Sequence, residues 1–193
     1  MDPLKILEII GEKYSPLNSE CQQELLESIK IISLDKGEII VREGQYADKV
    51  YLIIKGAARA FYLNDGKDVS DWFAFENEFI SSIISFFGKK PSPHFIETLE
   101  PSIVLELPRE PIDHLSTKYH DFERLMRLVI TEVMLSQQER LSSILFHTAE
   151  QRYKHLLSIH PNLASRVPLM HIASYLGMTL ETLSRVRRPK NRI

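Results

Sequence analysis

The chain has 193 residues, of which 44% are hydrophobic and 26% charged, enough for one medium globular domain and a small one beside it. No apolar run approaches about 18 residues, and the start at Met1-Asp2-Pro3-Leu4-Lys5 lacks a basic stretch leading into an apolar one, so neither a membrane span nor a secretory signal is expected. The net charge of −2 hides a division: up to Leu141 there are 16 Lys/Arg against 24 Asp/Glu, and from Ser142 onward 8 against 2, so a basic C-terminal region follows an acidic body.

Cys21 is the single cysteine, which rules out an internal disulfide and fits a reducing cytoplasm. Asp2 and Pro3 read as N-cap and first turn of a helix through about Lys13. Ser19-Glu20-Cys21-Gln22 has a capping-box pattern and opens a second helix to about Ile29.

From Ile31 to Leu107 the texture is β. Candidate strands run over Glu38–Arg42, Lys49–Ile54, Ala57–Leu63, Val69–Phe75, His94–Leu99 and Ile103–Leu107. Asn64-Asp65-Gly66-Lys67 between two of them is a strong hairpin signal. Short, evenly spaced strands with glycine corners predict a jelly roll or small barrel. Pro108 and Pro111 close this region.

A long helix is predicted from about Phe122 to Phe146. Phe122, Leu125, Val129, Val133, Leu141, Ile144 and Leu145 form a roughly heptad stripe, read here as a parallel two-helix dimer seam. The alternative is an amphipathic helix packed on its own domain. Gln151–Leu157 forms a further helix, and Asn162–Val167 a connector that could hold a short strand pair.

Leu169–Arg188 has the layout of a helix-turn-helix. Met170, Ile172, Ala173 and Leu176 make an apolar stripe, and Gly177 suits a sharp turn at positive φ. Thr179 is a good N-cap for a second helix, whose apolar face would hold Leu180, Leu183 and Val186. Its other face carries Glu181, Thr182, Ser184, Arg185 and Arg188, groups able to reach base edges and phosphates in a major groove. Arg185, Arg187, Arg188, Lys190 and Arg192 fall in the last nine residues with no acid among them. A helical hairpin with a solvated face is the plainer reading of the same spacing; the basic tail favours double-stranded DNA.

Two rival classes of protein make their own demands on the residues. A jelly-roll metal enzyme would need a His-x-His or His-x-Asp/Glu cluster on the strands, and His94 is the only histidine there. No phosphate-cradling glycine loop or Gly-x-Ser-x-Gly nucleophile setting occurs, so no catalytic residue, metal site or enzyme activity is expected. The other rival is a ligand-sensing or scaffold module with a degenerate helix-turn-helix, for which Leu180 and the chain end at Ile193 would speak.

The stretch from Lys36 to Gly56, with Gly37, Gly44 and Gly56 at its corners, resembles the opening of cyclic-nucleotide-binding domains. With the long helix and the helix-turn-helix behind it, nearly the whole chain resembles the Crp/Fnr superfamily of transcription regulators. Glu150–Tyr153, Ile172–Gly177 and Glu181–Arg185 are similar to the branch common in Bacteroidetes. The resemblance implies an α+β chain in three parts: a sensor β-roll with flanking helices over 1–118, a dimerisation helix over 119–146 and a winged helix-turn-helix domain over 147–193. It implies a cytoplasmic homodimer on a palindromic operator, with RNA polymerase as a further partner.

In that family a Glu and an Arg four residues apart read base edges, and Glu181 and Arg185 match the pair; Leu180 stands where the best-known members often have Arg. Arg187, Arg188, Lys190 and Arg192 suit phosphates better than bases. Cyclic-AMP binders in the family hold the phosphate with Gly-Glu and then an Arg-Ser or Arg-Thr pair. Here Ser81 and Ser82 take the first two places, and Ser92, followed by Pro93 and His94, falls at the Arg. A phosphodiester would lose its strongest charge-assisted partner, so cyclic AMP is not expected. Phe79, Ile80, Ser81, Ser82, Ser92 and His94 are the candidate lining for some other small-molecule effector. One cysteine cannot hold an iron–sulfur cluster, no histidine pattern marks a haem, and no cofactor is expected.

Overall fold

The computed structural model describes residues 2–188. Two helices open the chain, α1 (Pro3–Lys13) and α2 (Ser19–Ser28). Asp2 caps the first by accepting from the Leu4 N–H, as the sequence predicts. The second is capped by Asn18, which accepts from the Cys21 N–H, and not by Ser19, which already lies inside the helix.

The β region forms two antiparallel four-stranded sheets. One orders β1 (Lys30–Leu34), β8 (Ser102–Pro108), β3 (Lys49–Lys55) and β6 (Phe79–Ile80). The other orders β2 (Ile39–Val41), β7 (Phe95–Thr98), β4 (Ala58–Asn64) and β5 (Lys67–Ala74). Ile53, Ile80 and Val104 of the first sheet meet Ala58, Ala60, Ala74 and Ile96 of the second, so the roll closes on a core of small and branched side chains. The β4–β5 hairpin turns at Asp65 and Gly66, both at positive φ, the geometry its sequence demands. Gly56 is a stricter requirement: at φ +98° any Cβ there would stand 2.3 Å from Ser102 Oγ.

The β1 strand and α3 (Ile83–Gly88) carry no clear sequence signal. Neither does α4 (Arg109–Lys118), where Pro111 sits in the first turn and is tolerated because its missing N–H would have had no helical partner. The 27-residue α5 (His120–Phe146) follows, within two residues of its predicted start and ending where predicted.

The outer face of the first sheet packs on these helices. Val50, Leu52, Leu105 and Leu107 meet Leu7, Leu25, Leu115, Phe122, Leu125, Met126 and Val129 in one cluster. This corrects the proposed seam. Phe122 is 1% exposed, and Leu125 and Val129 are buried in the same protomer's core, so none of the three can face a partner helix. Val133 is half-buried beside the roll, and of the seven residues in the stripe Leu141, Ile144 and Leu145 are exposed. The apolar side chains that α5 leaves open are Ile130, Met134, Leu135, Leu141, Ile144, Leu145 and Phe146.

The chain ends in four short helices: α6 (Ala149–Ile159), α7 (Leu163–Arg166), α8 (Leu169–Tyr175) and α9 (Leu180–Arg187). A capping box between Thr148 and Gln151 starts α6. The 162–167 connector contains the helical turn α7, not a strand pair. Tyr153, Leu156, Leu163, Ile172, Ala173, Leu176 and Leu183 form a second core, which continues onto Ala57, Phe73, Phe75 and Leu99 of the roll. The helical unit is therefore docked on the sheet and shares its apolar surface.

Candidate nucleic-acid interface and effector region

The turn between α8 and α9 is built as the sequence requires. Gly177 takes φ +62°, and the Met178 N–H donates to Ala173 O, closing the end of α8. Thr179 caps α9 by accepting from the Thr182 N–H at 3.2 Å. Leu183 is fully buried between the helices and Val186 partly so. Leu180 departs from expectation: at 47% exposed, it lies outside the apolar face assigned to it. The helix is held to the core by Leu183 and Val186.

Glu181, Ser184, Arg185, Arg187 and Arg188 are exposed, and Thr182 is half-buried. Arg185 donates to the Thr182 hydroxyl at 3.2 Å, which steadies the guanidinium over the helix start. The Glu181 carboxyl is held below its usual range by its own backbone N–H, then by the Thr179 hydroxyl and the charge of Arg185. A carboxylate and a guanidinium thus stand one turn apart on a solvent-facing surface. Lys154 and Glu150 of α6 join Thr182, Arg185, Arg187 and Arg188 around a shallow depression. Lys154 was not singled out from the sequence, because a lone lysine on an amphipathic helix carries no signal of what lies across from it. Lys190 and Arg192 lie outside the described residues.

The residues named as an effector lining come together, but as a closed knot. Ser82 and Ser92 hydroxyls are 2.8 Å apart, and Ser92 donates to His94 O at 2.7 Å. Ile80, Ser81, Ser82, Ser92 and His94 are all buried, with Ile80 in the core between the sheets. Among the described residues neither ring nitrogen of His94 has a hydrogen-bond partner, and its ring meets Tyr62 edge-on at 5.2 Å. Burial pushes this imidazole below its ordinary value, with Asp71 opposing. Among the described residues no cationic side chain is hydrogen-bonded to these hydroxyls. Phe79 is the exception among the six: it lines a groove of about 760 Å³ with Tyr14, Trp72, Val129, Leu156 and Tyr175, between α5, the roll and α6.

Comparison with known proteins agrees with this architecture. Residues 31–119 match the cyclic nucleotide-binding domain family. The transcriptional activator Anr of Pseudomonas aeruginosa is 30% identical over 169 residues, covering 79% of this chain and 67% of its own length. The fumarate and nitrate reduction regulatory protein of Escherichia coli K12 is 25% identical over 166 residues, covering 79% of this chain and 65% of its own length. This chain thus spans about two thirds of the length of these relatives. Among solved structures, FixK2 from Bradyrhizobium japonicum superposes with a TM-score of 0.69 at 23% identity, covering 82% of each chain, which speaks for the fold. A double-sheet roll, a 27-residue helix and a terminal helix-turn-helix in that order, with identity at this level across most of the chain, make this protein a member of the Crp/Fnr family of transcription regulators.

Proposed function

We propose that the protein is a homodimeric, DNA-binding transcription regulator that reads a two-fold operator with α9. Regulation of transcription, without enzymatic activity, follows from the family. The reading of the site rests on one observation: Glu181 in the first turn of α9 and Arg185 in its last lie four residues apart, both exposed. Glu accepts from cytosine N4 and Arg donates two bonds to guanine, each worth about 1–3 kcal/mol of discrimination. Thr179, Thr182 and Ser184 border that pair, and Arg187, Arg188 and Lys190 are assigned to phosphates. The two-fold operator requires two copies of α9 about one helical turn of DNA apart. The unpartnered apolar half of α5 supports the dimer that would supply them.

The serine knot supports regulation that does not depend on cyclic AMP, since a phosphodiester would find hydroxyls and no guanidinium there. A different small-molecule effector and contact with RNA polymerase belong to this proposal as well. Among the described residues no helix is long and apolar enough to cross a membrane, and a cytoplasmic location is proposed with the rest.

The test is selection of genomic fragments by purified protein at moderate salt without added ligand. A palindromic motif is expected. Arg185→Ala should lower the preference for that motif over a base-substituted one by roughly 5- to 150-fold, the factor equivalent to about 1–3 kcal/mol. Unchanged discrimination would remove α9 as the reader.

A further inference from the structure

The helix-turn-helix unit meets the roll through charged contacts that base reading does not use. At their centre is Arg59 on β4, 2% exposed. Its Nε donates to Glu97 at 2.7 Å, and one terminal nitrogen donates to Asp68 at 2.6 Å and Ser70 at 2.9 Å. The same nitrogen lies 2.8 Å from Nδ1 of His171, on α8. That nitrogen carries two hydrogens and no lone pair, so Nδ1 faces it as an acceptor, sharing those hydrogens with Asp68 and Ser70, and the ring proton sits on Nε2. Directly alongside, the Ser70 N–H donates to Ser174 Oγ at 3.1 Å. The joint between β5 and α8 is therefore made of a neutral histidine and a serine.

We propose that His171 is a proton-operated latch: unprotonated, it fastens α8 to the roll through Arg59, and protonation of Nδ1 turns that bond into two opposed N–H groups and loosens the joint. The groups facing His171 come from three strands: Arg59 on β4, Asp68 on β5 with an oxygen 3.8 Å away, and Glu97 on β7. The carboxylates favour an imidazolium. Both are already committed to Arg59, however, and the guanidinium is the nearer charge. Burial first and Arg59 second outweigh Asp68 and Glu97, leaving the imidazole below its ordinary value of 6.5. The docked state thus binds fewer protons than the open one. Docking is full above that ordinary value and weakens as pH falls through it towards the lower docked value.

The arginine contacts along the joint do not share this behaviour. Arg166 of α7 donates to Glu76 at 2.8 Å and to Gly56 O at 2.9 Å. Arg140 of α5 donates to Asp71 at 3.2 Å and to Tyr175 O at 3.3 Å. Neither arginine loses its proton near neutrality. His160, stacked near Phe75 and 4.0 Å from Glu78, also titrates in the joint: burial first, with Arg166 adding to it, outweighs Glu78 and holds the imidazole below its ordinary value. Its sign is that of His171, but its contacts, Phe75 and Glu78, lie outside β5 and α8.

The experiment is amide hydrogen exchange on the full chain at about pH 7.5 and about pH 5.5, either side of the ordinary histidine value, with rates corrected for intrinsic pH dependence. Segments 67–74 and 169–175 report the joint. The wild type should lose protection in both segments at the lower pH, because the docked state binds fewer protons than the open one. His171→Asn, which offers an amide oxygen near the Nδ1 position and cannot titrate, should keep its protection at both values, and His171→Gln serves where Asn does not fold. His160→Asn should still lose protection in both segments at the lower pH, since His171 remains. An equal loss in the His171 variants, or no loss in the wild type, overturns the latch.

Discussion

At Cys21, burial and charge act in the same direction. The side chain is wholly enclosed between α1 and α2, and burial, with Asp121 and Glu24 nearby, pushes its thiol up to about 12. Almost no thiolate exists at neutral pH, so a thiol reagent such as Ellman's should leave the folded protein unmodified and react fully in denaturant. Equal labelling in both conditions would mean that the α1–α2 layer is open. Gly56 offers a sharper case. The sequence marks it as a corner but not why glycine is needed there; the reason is Ser102, 46 positions away, whose backbone and hydroxyl fill the space a Cβ would take. Gly56→Ala should therefore cost about 2 kcal/mol or more, read as a lower urea midpoint, where an ordinary surface substitution costs within about 0.5 kcal/mol. Arg59 could not be read at all from the sequence. A lone arginine in a strand looks like a solvent-facing residue, and its partners Asp68, Glu97 and His171 are 9, 38 and 112 residues away.

Among the elements, α5 was the most legible and the most misleading. Its length and end follow from periodicity, yet periodicity reports that a face is covered and not what covers it. The stripe from Phe122 to Val129 is covered by the same chain's sheet; the apolar residues from Met134 onward are not. Substitutions in the two halves should therefore separate. Phe122→Ala should cost about 3–5 kcal/mol of stability and leave the oligomeric state alone. Met134→Glu and Leu141→Glu, at positions 60% and 52% exposed, should keep the thermal midpoint of the roll and yield a monomer on analytical ultracentrifugation. A stable dimer in both would move the seam elsewhere. In the helix-turn-helix, Leu183→Ala should cost about 2–5 kcal/mol, since its side chain is sealed beneath Leu176 and Tyr153. The roll as a class was legible from its glycine corners and short strands. The β1 strand, α3 and α4 were not: a polar strand, a six-residue helix and a helix containing proline each fall below what local patterns reveal.

Across the whole molecule, charge is segregated as well as balanced, with the basic groups gathered near α9 and away from the acidic body. Binding to operator DNA should weaken steeply with salt, and Arg187→Ala or Arg188→Ala should each reduce the slope of log affinity against log salt by about 0.9 while leaving sequence preference intact. A slope unaffected by either would take those residues off the phosphates. The docking of the reading unit on the sheet could not be foreseen, because it joins residues 66 to 112 positions apart through a shared apolar core and the contacts of Arg59 and Arg166. The divided loyalty of α5 has a further effect. Because its first half is satisfied within one protomer, the chain can fold alone; because its second half is not, folding leaves a surface whose only remedy is company. Abundance then becomes an input. Below the dissociation constant of the pair, operator occupancy would rise with the square of chain concentration, so a modest change in synthesis or turnover would be felt at the promoter before any ligand arrives.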